Sequence, residues 1–168
     1  MLPVANARAL RFPGAAHLLN LGNPNSTMKP SAHSYPNPDA MNPALTALAA
    51  AADGLFFISE TDAPFEAFQV EPGEDTEAAL RRLSGKEKTA PVEIQEAGYF
   101  FRNHTRAPDP GPEADARAAR FQALLRQLQQ TLADLKVYRV GTIQVDAFLL
   151  GSLPDGTRGG LRTRLVET

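Results

Sequence analysis

Hydrophobic positions along this chain become periodic only from residue 41 onward. Residues 43–52 are alanine-rich and carry Leu45 and Leu48, which predicts a short helix with Asn42 as its cap and Pro43 at its first position. Asp53-Gly54 closes that helix, since glycine readily takes the left-handed conformation of a helix end. Leu55 to Ser59 is a compact apolar run with strand character, Asp62-Ala63-Pro64 predicts a turn, and Phe65 to Val70 predicts a second strand. After the Pro72-Gly73 turn, residues 76–84 predict a helix bearing Leu80 and Leu83 and stopped by Gly85. Residues 91–101 read two ways: Val92 and Ile94 look extended, whereas Tyr99-Phe100-Phe101 suits a helical turn. Pro108, Pro110 and Pro112 enforce a loop. Phe121, Leu124, Leu125, Leu128, Leu132 and Leu135 then mark one face of the longest helix, over 113–135. Val137 to Val140 leads through Gly141 into Ile143–Leu149, whose alternation predicts a half-buried strand. Leu161, Thr163 and Leu165 alternate with Arg162, Arg164 and Val166 in a last strand. Helices interleaved with at least four strands predict an α/β sandwich.

Residues 1–40 carry no such pattern. Six prolines fall there (Pro3, Pro13, Pro24, Pro30, Pro36 and Pro38), a density that prevents continuous helix and removes ladder donors from strands. Arg8, Arg11 and Pro13 interrupt its apolar stretch, which makes a poor signal-peptide core. The segment is expected to be a disordered tail, or an upstream stretch if translation begins at Met41; the domain is expected to span 41–168.

Charge sharpens this division. The formal charge of −2 combines a tail holding Arg8, Arg11 and Lys29 against Asp39 with a remainder of 17 − 3 = 14 basic and 19 − 1 = 18 acidic residues. Asp53, Glu60, Asp62, Glu66, Glu71, Glu74, Asp75 and Glu77 follow one another with no Lys or Arg between them. A domain of that sign repels nucleic acid and suits a basic partner. The absence of cysteine excludes disulfides, zinc–thiolate sites and thiol nucleophiles, and fits a reducing compartment; the expected location is cytoplasmic. No apolar run approaches the roughly 20 residues that span a bilayer, so no membrane role is expected.

Catalytic constellations are not evident. A Ser-His-Asp triad would have to use His104, the one histidine after the tail, and no Gly-x-Ser-x-Gly elbow accompanies it. His104 reads instead as a loop surface residue. Neither a phosphate loop, a dinucleotide fingerprint nor an EF-hand is present, and Gly159-Gly160 lacks the strand-then-helix context of a phosphate cradle.

Three segments point elsewhere. Asp53-Gly-Leu-Phe-Phe-Ile-Ser-Glu60-Thr-Asp62-Ala-Pro64-Phe65-Glu66 resembles the N-terminal signature of the nuclease A inhibitor family. Tyr138-Arg139-Val140-Gly141, continuing through Ile143 to Asp146 and Leu150-Gly151, is similar to its central strand pair, and Gly160 through Val166-Glu167-Thr168 to its ending. The resemblance covers about 43–168, with the motifs in the family's order. It implies an α/β/α sandwich with a mostly antiparallel central sheet, related to the pathogenesis-related-protein fold. It further implies a monomeric, non-enzymatic inhibitor that forms a one-to-one complex with a sugar-non-specific, magnesium-dependent DNA/RNA endonuclease of the ββα-metal class. By motif alignment Thr168 would supply an oxygen to the nuclease's Mg2+, and Glu60 would reach the active-site region. Asp62, Glu66 and Glu167 join them as expected partner contacts, the acidic run imitating the phosphates that a nuclease attracts. No cofactor of its own is expected. Ala63 departs from the aromatic that the family often carries, and Arg158, Arg162 and Arg164 are expected to put positive charge near Thr168. A protein-binding module of the same fold with a non-nuclease partner is the alternative reading.

Overall fold

The computed structural model describes residues 41–168, and the readings of residues 1–40 lie outside the described residues. In chain order the elements are α1 (Pro43–Ala52), β1 (Phe56–Ile58), β2 (Asp62–Pro64), β3 (Glu66–Val70), α2 (Thr76–Ser84), β4 (Val92–Gln95), α3 (Ala97–Phe100), α4 (Pro112–Thr131), β5 (Ala133–Val140), β6 (Gln144–Ser152) and β7 (Arg158–Val166). Five strands form one antiparallel sheet in the order β3-β7-β6-β5-β4, while β1 and β2 pair as a separate hairpin.

Helices cover both sheet faces, as the α/β sandwich requires. On one face Leu45 and Leu48 of α1 and Phe121, Leu124 and Leu128 of α4 pack on Val137, Val145, Leu149, Leu161 and Leu165. The alternate residues Phe68, Val70, Val140, Phe148 and Leu150 point the other way, onto Ala79 and Leu80 of α2. β6 is therefore buried on both sides rather than half-buried, and Ile143, outside it, is exposed. Alternation in its sequence reports two different cores, not a core and solvent.

Local capping follows the sequence closely. The Asn42 side chain accepts from the Ala44 N–H at 2.8 Å with Pro43 opening α1, and Asp75 accepts from the Ala78 N–H at 3.1 Å to start α2. Gly85 closes α2 at φ +69°, and its N–H reaches the last carbonyls. Both readings of residues 91–101 are realised in succession, β4 then α3.

Two further expectations are corrected. The long helix stops at Thr131, four residues early, and the chain enters β5 with almost no loop. Leu132 is extended, and Asp134 at φ +54° accompanies a register irregularity between Ala133 and Lys136. Leu132 stays in the core after the helix has ended, so the apolar spacing persists while the backbone changes. Asp62–Pro64 is likewise a strand, not a turn. Pro64 lacks an N–H, which an edge strand tolerates, and the bend falls at Ser59–Thr61 instead.

That hairpin continues the sheet edge where β3 ends. β3 pairs with Arg158–Arg162 of β7, leaving Thr163–Val166 without a sheet strand on that side among the described residues. The buried Thr163 hydroxyl meets the Pro64 carbonyl at 2.9 Å, and the Val166 N–H donates to Ser59 Oγ at 3.2 Å. β7 thereby carries the hairpin tip to the residues that follow it.

Candidate functional site

Three segments line a cleft of about 610 Å3: the hairpin tip Phe57–Glu60, the α3 region with Tyr99, Phe100 and Arg102–His104, and the chain from Leu165 to Thr168. Arg139 of β5 lies inside it.

The tip is shaped by a single hydroxyl. Ser59 Oγ donates to the Thr61 carbonyl at 2.8 Å and accepts from the Thr61 N–H at 3.3 Å, while the Ser59 N–H reaches the same carbonyl at 3.2 Å. Glu60 projects from this bend, and its carboxylate accepts a hydrogen bond from the Thr168 hydroxyl. On the other side of the ending, Glu167 donates its N–H to the Ile143 carbonyl at 2.9 Å, and its carboxylate pairs with Arg139. Arg139 also meets Glu93 at 3.0 Å. Glu60, Glu167 and Thr168 are thus gathered in one place from two distant parts of the chain.

Asp62 and Glu66 are not in that cleft. Asp62 opens β2 and lines an adjoining hollow with Arg117 and Arg120, whereas Glu66 pairs with Arg162 at 2.9 Å at the start of β3. Much of the acidic run is committed within the fold: Glu74 pairs with Arg82 at 2.7 Å, Glu77 with Arg81 at 3.0 Å, and Asp75 caps α2. The expected cluster of arginines beside Thr168 is also absent from this cleft. Arg158 bonds Thr76 and the Glu74 carbonyl at the opposite end of β7, Arg162 holds Glu66 and the Leu83 carbonyl, and Arg164 pairs with the buried Asp146 at 3.1 Å. Lys86 meets the second Asp146 oxygen, also at 3.1 Å.

His104 corrects its reading as a surface loop residue. Its ring stacks on Phe57 at 4.2 Å and lies 4.9 Å from Phe121, and Nε2 accepts the Ile58 N–H at 2.9 Å. The ring buttresses β1 rather than offering a base: Nε2 is engaged, and Nδ1 is buried with no hydrogen-bond partner among the described residues. Among the described residues no group of three His, Cys, Asp or Glu could hold a metal ion.

Burial pushes the His104 pKa below its ordinary value. Below about pH 6.5 the unfolded chain therefore binds a proton that the folded protein resists, so this residue makes stability fall as pH drops through that range. Thermal unfolding between pH 7 and pH 5 should show a steeper loss for the natural protein than for His104→Gln; parallel slopes would exclude the assignment.

Sequence reasoning missed Ser59 and Arg139 as site residues, although both fall inside the quoted motifs. Their partners are at Val166, Glu167 and Glu93, so only the fold reveals the contacts. The rim adds exposed Tyr99 and Ile58, with the Arg102 guanidinium 3.8 Å above the Tyr99 ring. No helix among the described residues is long and apolar enough to cross a membrane. In comparison with known proteins, the model of the family described as "NuiA: Nuclease A inhibitor-like protein" matches residues 42–168. No curated protein matches the chain.

Proposed function

The chain belongs to the nuclease A inhibitor-like family, and from that premise we propose that it blocks a sugar-non-specific, magnesium-dependent endonuclease by inserting Thr168 and Glu60 into the enzyme's active-site cleft. A nuclease inhibitor is a stoichiometric binder, not a catalyst, so the relevant chemistry is recognition. The observation that carries the reading is the bond between the Thr168 hydroxyl and the Glu60 carboxylate.

That bond has a chemical consequence. Thr168 spends its one hydroxyl hydrogen on Glu60, which leaves the Oγ1 lone pairs for an electron acceptor. A hydroxyl donating to a carboxylate is also a more electron-rich oxygen, and magnesium takes oxygen ligands. The donor set therefore fits a role in which Thr168 meets the nuclease's own Mg2+ and displaces water that hydrolysis needs. Glu60 supplies negative charge at this end of the molecule, complementary to a cation-bearing site, while the Glu167 charge is matched by Arg139. Capture is expected one-to-one, with an association rate that falls as salt rises.

Titrating the protein into a ββα-metal endonuclease acting on supercoiled DNA should give inhibition complete near one equivalent. Undiminished cleavage at a large excess of the protein would overturn the reading and favour the non-nuclease partner. Glu60→Ala should cost about 1–3 kcal/mol of binding, as for a lost charged hydrogen bond in a desolvated contact. Equal inhibition constants for the two proteins would remove Glu60 from the site.

A further inference from the structure

We propose that Arg139 is a positioning residue that sets where Thr168 stands, and so governs partner capture through Glu167; the capture half of this rests on the inhibitor reading above. The sheet holds the ending of the chain only weakly. The last β6–β7 pair is Gln144 with Val166, and one further backbone bond, from the Glu167 N–H to the Ile143 carbonyl, follows it. Among the described residues Thr168 is held by its hydroxyl bond to Glu60, a group that itself stands on an exposed bend.

Arg139 supplies the missing constraint. Its side chain is only 16% exposed, and the guanidinium grips Glu167 with one nitrogen and Glu93 with the other. Glu93 faces Arg139 across the β4–β5 ladder, so the grip springs from the rigid sheet and not from a loop. The Glu167 side chain is 52% exposed and would otherwise sample many rotamers. Two carboxylates approached from different directions suit a planar fork of fixed donors; a lysine ammonium can satisfy the charge but not both directions at once. Without the guanidinium, Glu93 and Glu167 become uncompensated like charges on either side of position 139, with Glu60 lining the same cleft as Glu167. Repulsion would then push residue 167 outward and take Thr168 with it.

The test uses the full chain and two independent readouts. Arg139→Gln and Glu167→Gln should each raise the mobility of the Thr168 amide in 15N relaxation of the unbound protein, leaving Leu161 and Leu165 amides unchanged. Each should weaken inhibition of the ββα-metal endonuclease about tenfold, the double variant should be little worse than either single one, and Arg139→Lys should fall between. Folded variants with unaltered Thr168 relaxation and unaltered inhibition would overturn the proposal. Should Arg139→Gln fail to fold, the exposed Glu167→Gln decides alone. If the natural protein inhibits nothing while Thr168 loosens in the variants, the positioning role stands and the nuclease reading falls. If the natural protein inhibits and Thr168 does not loosen, only the positioning role falls.

Discussion

Thr168→Val should weaken nuclease inhibition roughly 30- to 700-fold, with no change in the thermal unfolding midpoint. The size follows from truncating a group at the centre of a desolvated contact, which costs about 2–4 kcal/mol at such positions, and each 1.4 kcal/mol is tenfold in affinity. Valine keeps the branched shape and removes only the hydroxyl, so the loss reports the oxygen that donates to Glu60. Stability should be untouched, since Thr168 is exposed and lies beyond the end of β7. On the proposed insertion of Thr168, residues appended after it should be as damaging, because they would need room in the nuclease's cleft that one side chain does not. Inhibition constants and melting curves on the same preparations check both. Full potency of Thr168→Val would end the proposal that this hydroxyl reaches a metal ion, whatever happened to binding as a whole.

Gly160→Ala should produce the largest loss of stability of any single methyl added to the domain, about 3–5 kcal/mol. β7 lies between β3 and β6, with Gly160 opposite Phe68 on one side and Leu150 on the other. A Cβ there would stand 1.8 Å from the Leu149 carbonyl oxygen and 3.3 Å from Leu132 Cδ1. The nearer obstacle is backbone within a ladder, so relief requires β6 and β7 to part. Ordinary overpacking costs about 1–3 kcal/mol, and a backbone obstacle at the middle of the sheet lifts the figure above that range. Against a typical domain stability of about 5–15 kcal/mol, that is from about a fifth of the total to all of it, so the melting midpoint should drop steeply. Gly156→Ala is the control: its φ is +88° with nothing within 4 Å, so it should cost only about 1–2 kcal/mol of backbone strain. Similar melting curves for the two variants would refute the packing argument.

Local signals in the sequence went far with this fold. Asn42-Pro43 and Gly85 each act through neighbours within four residues, so the start of α1 and the end of α2 were legible from local sequence, whereas the Asp75 cap of α2 was not read. The alternation through Leu161 and Leu165 placed β7, although the strand begins earlier, at Arg158. The end of α4 was not legible. Leu132 serves the same core as Leu128 whether the chain is helical or extended, and nothing before it announces the left-handed Asp134. β6 misled for a related reason: period two distinguishes faces, but α2 on the second face cannot be read from β6 itself. In the cleft, Glu60 and Thr168 were singled out from sequence because they sit in recognisable motifs. Arg139 and His104 were not, since their roles depend on Glu93, Glu167, Phe57 and Phe121, which are remote in sequence.

The place of β7 in the sheet also bears on how the protein is made. It is the last described element to leave the ribosome, yet among the described residues it is the only sheet partner of β3, and it anchors the hairpin that bears Glu60. A nascent chain lacking those nine residues has its first three strands stranded from the rest, with the apolar surfaces of α1 and α4 uncovered on one side. Translation products terminated before β7 should therefore be protease-sensitive and inert.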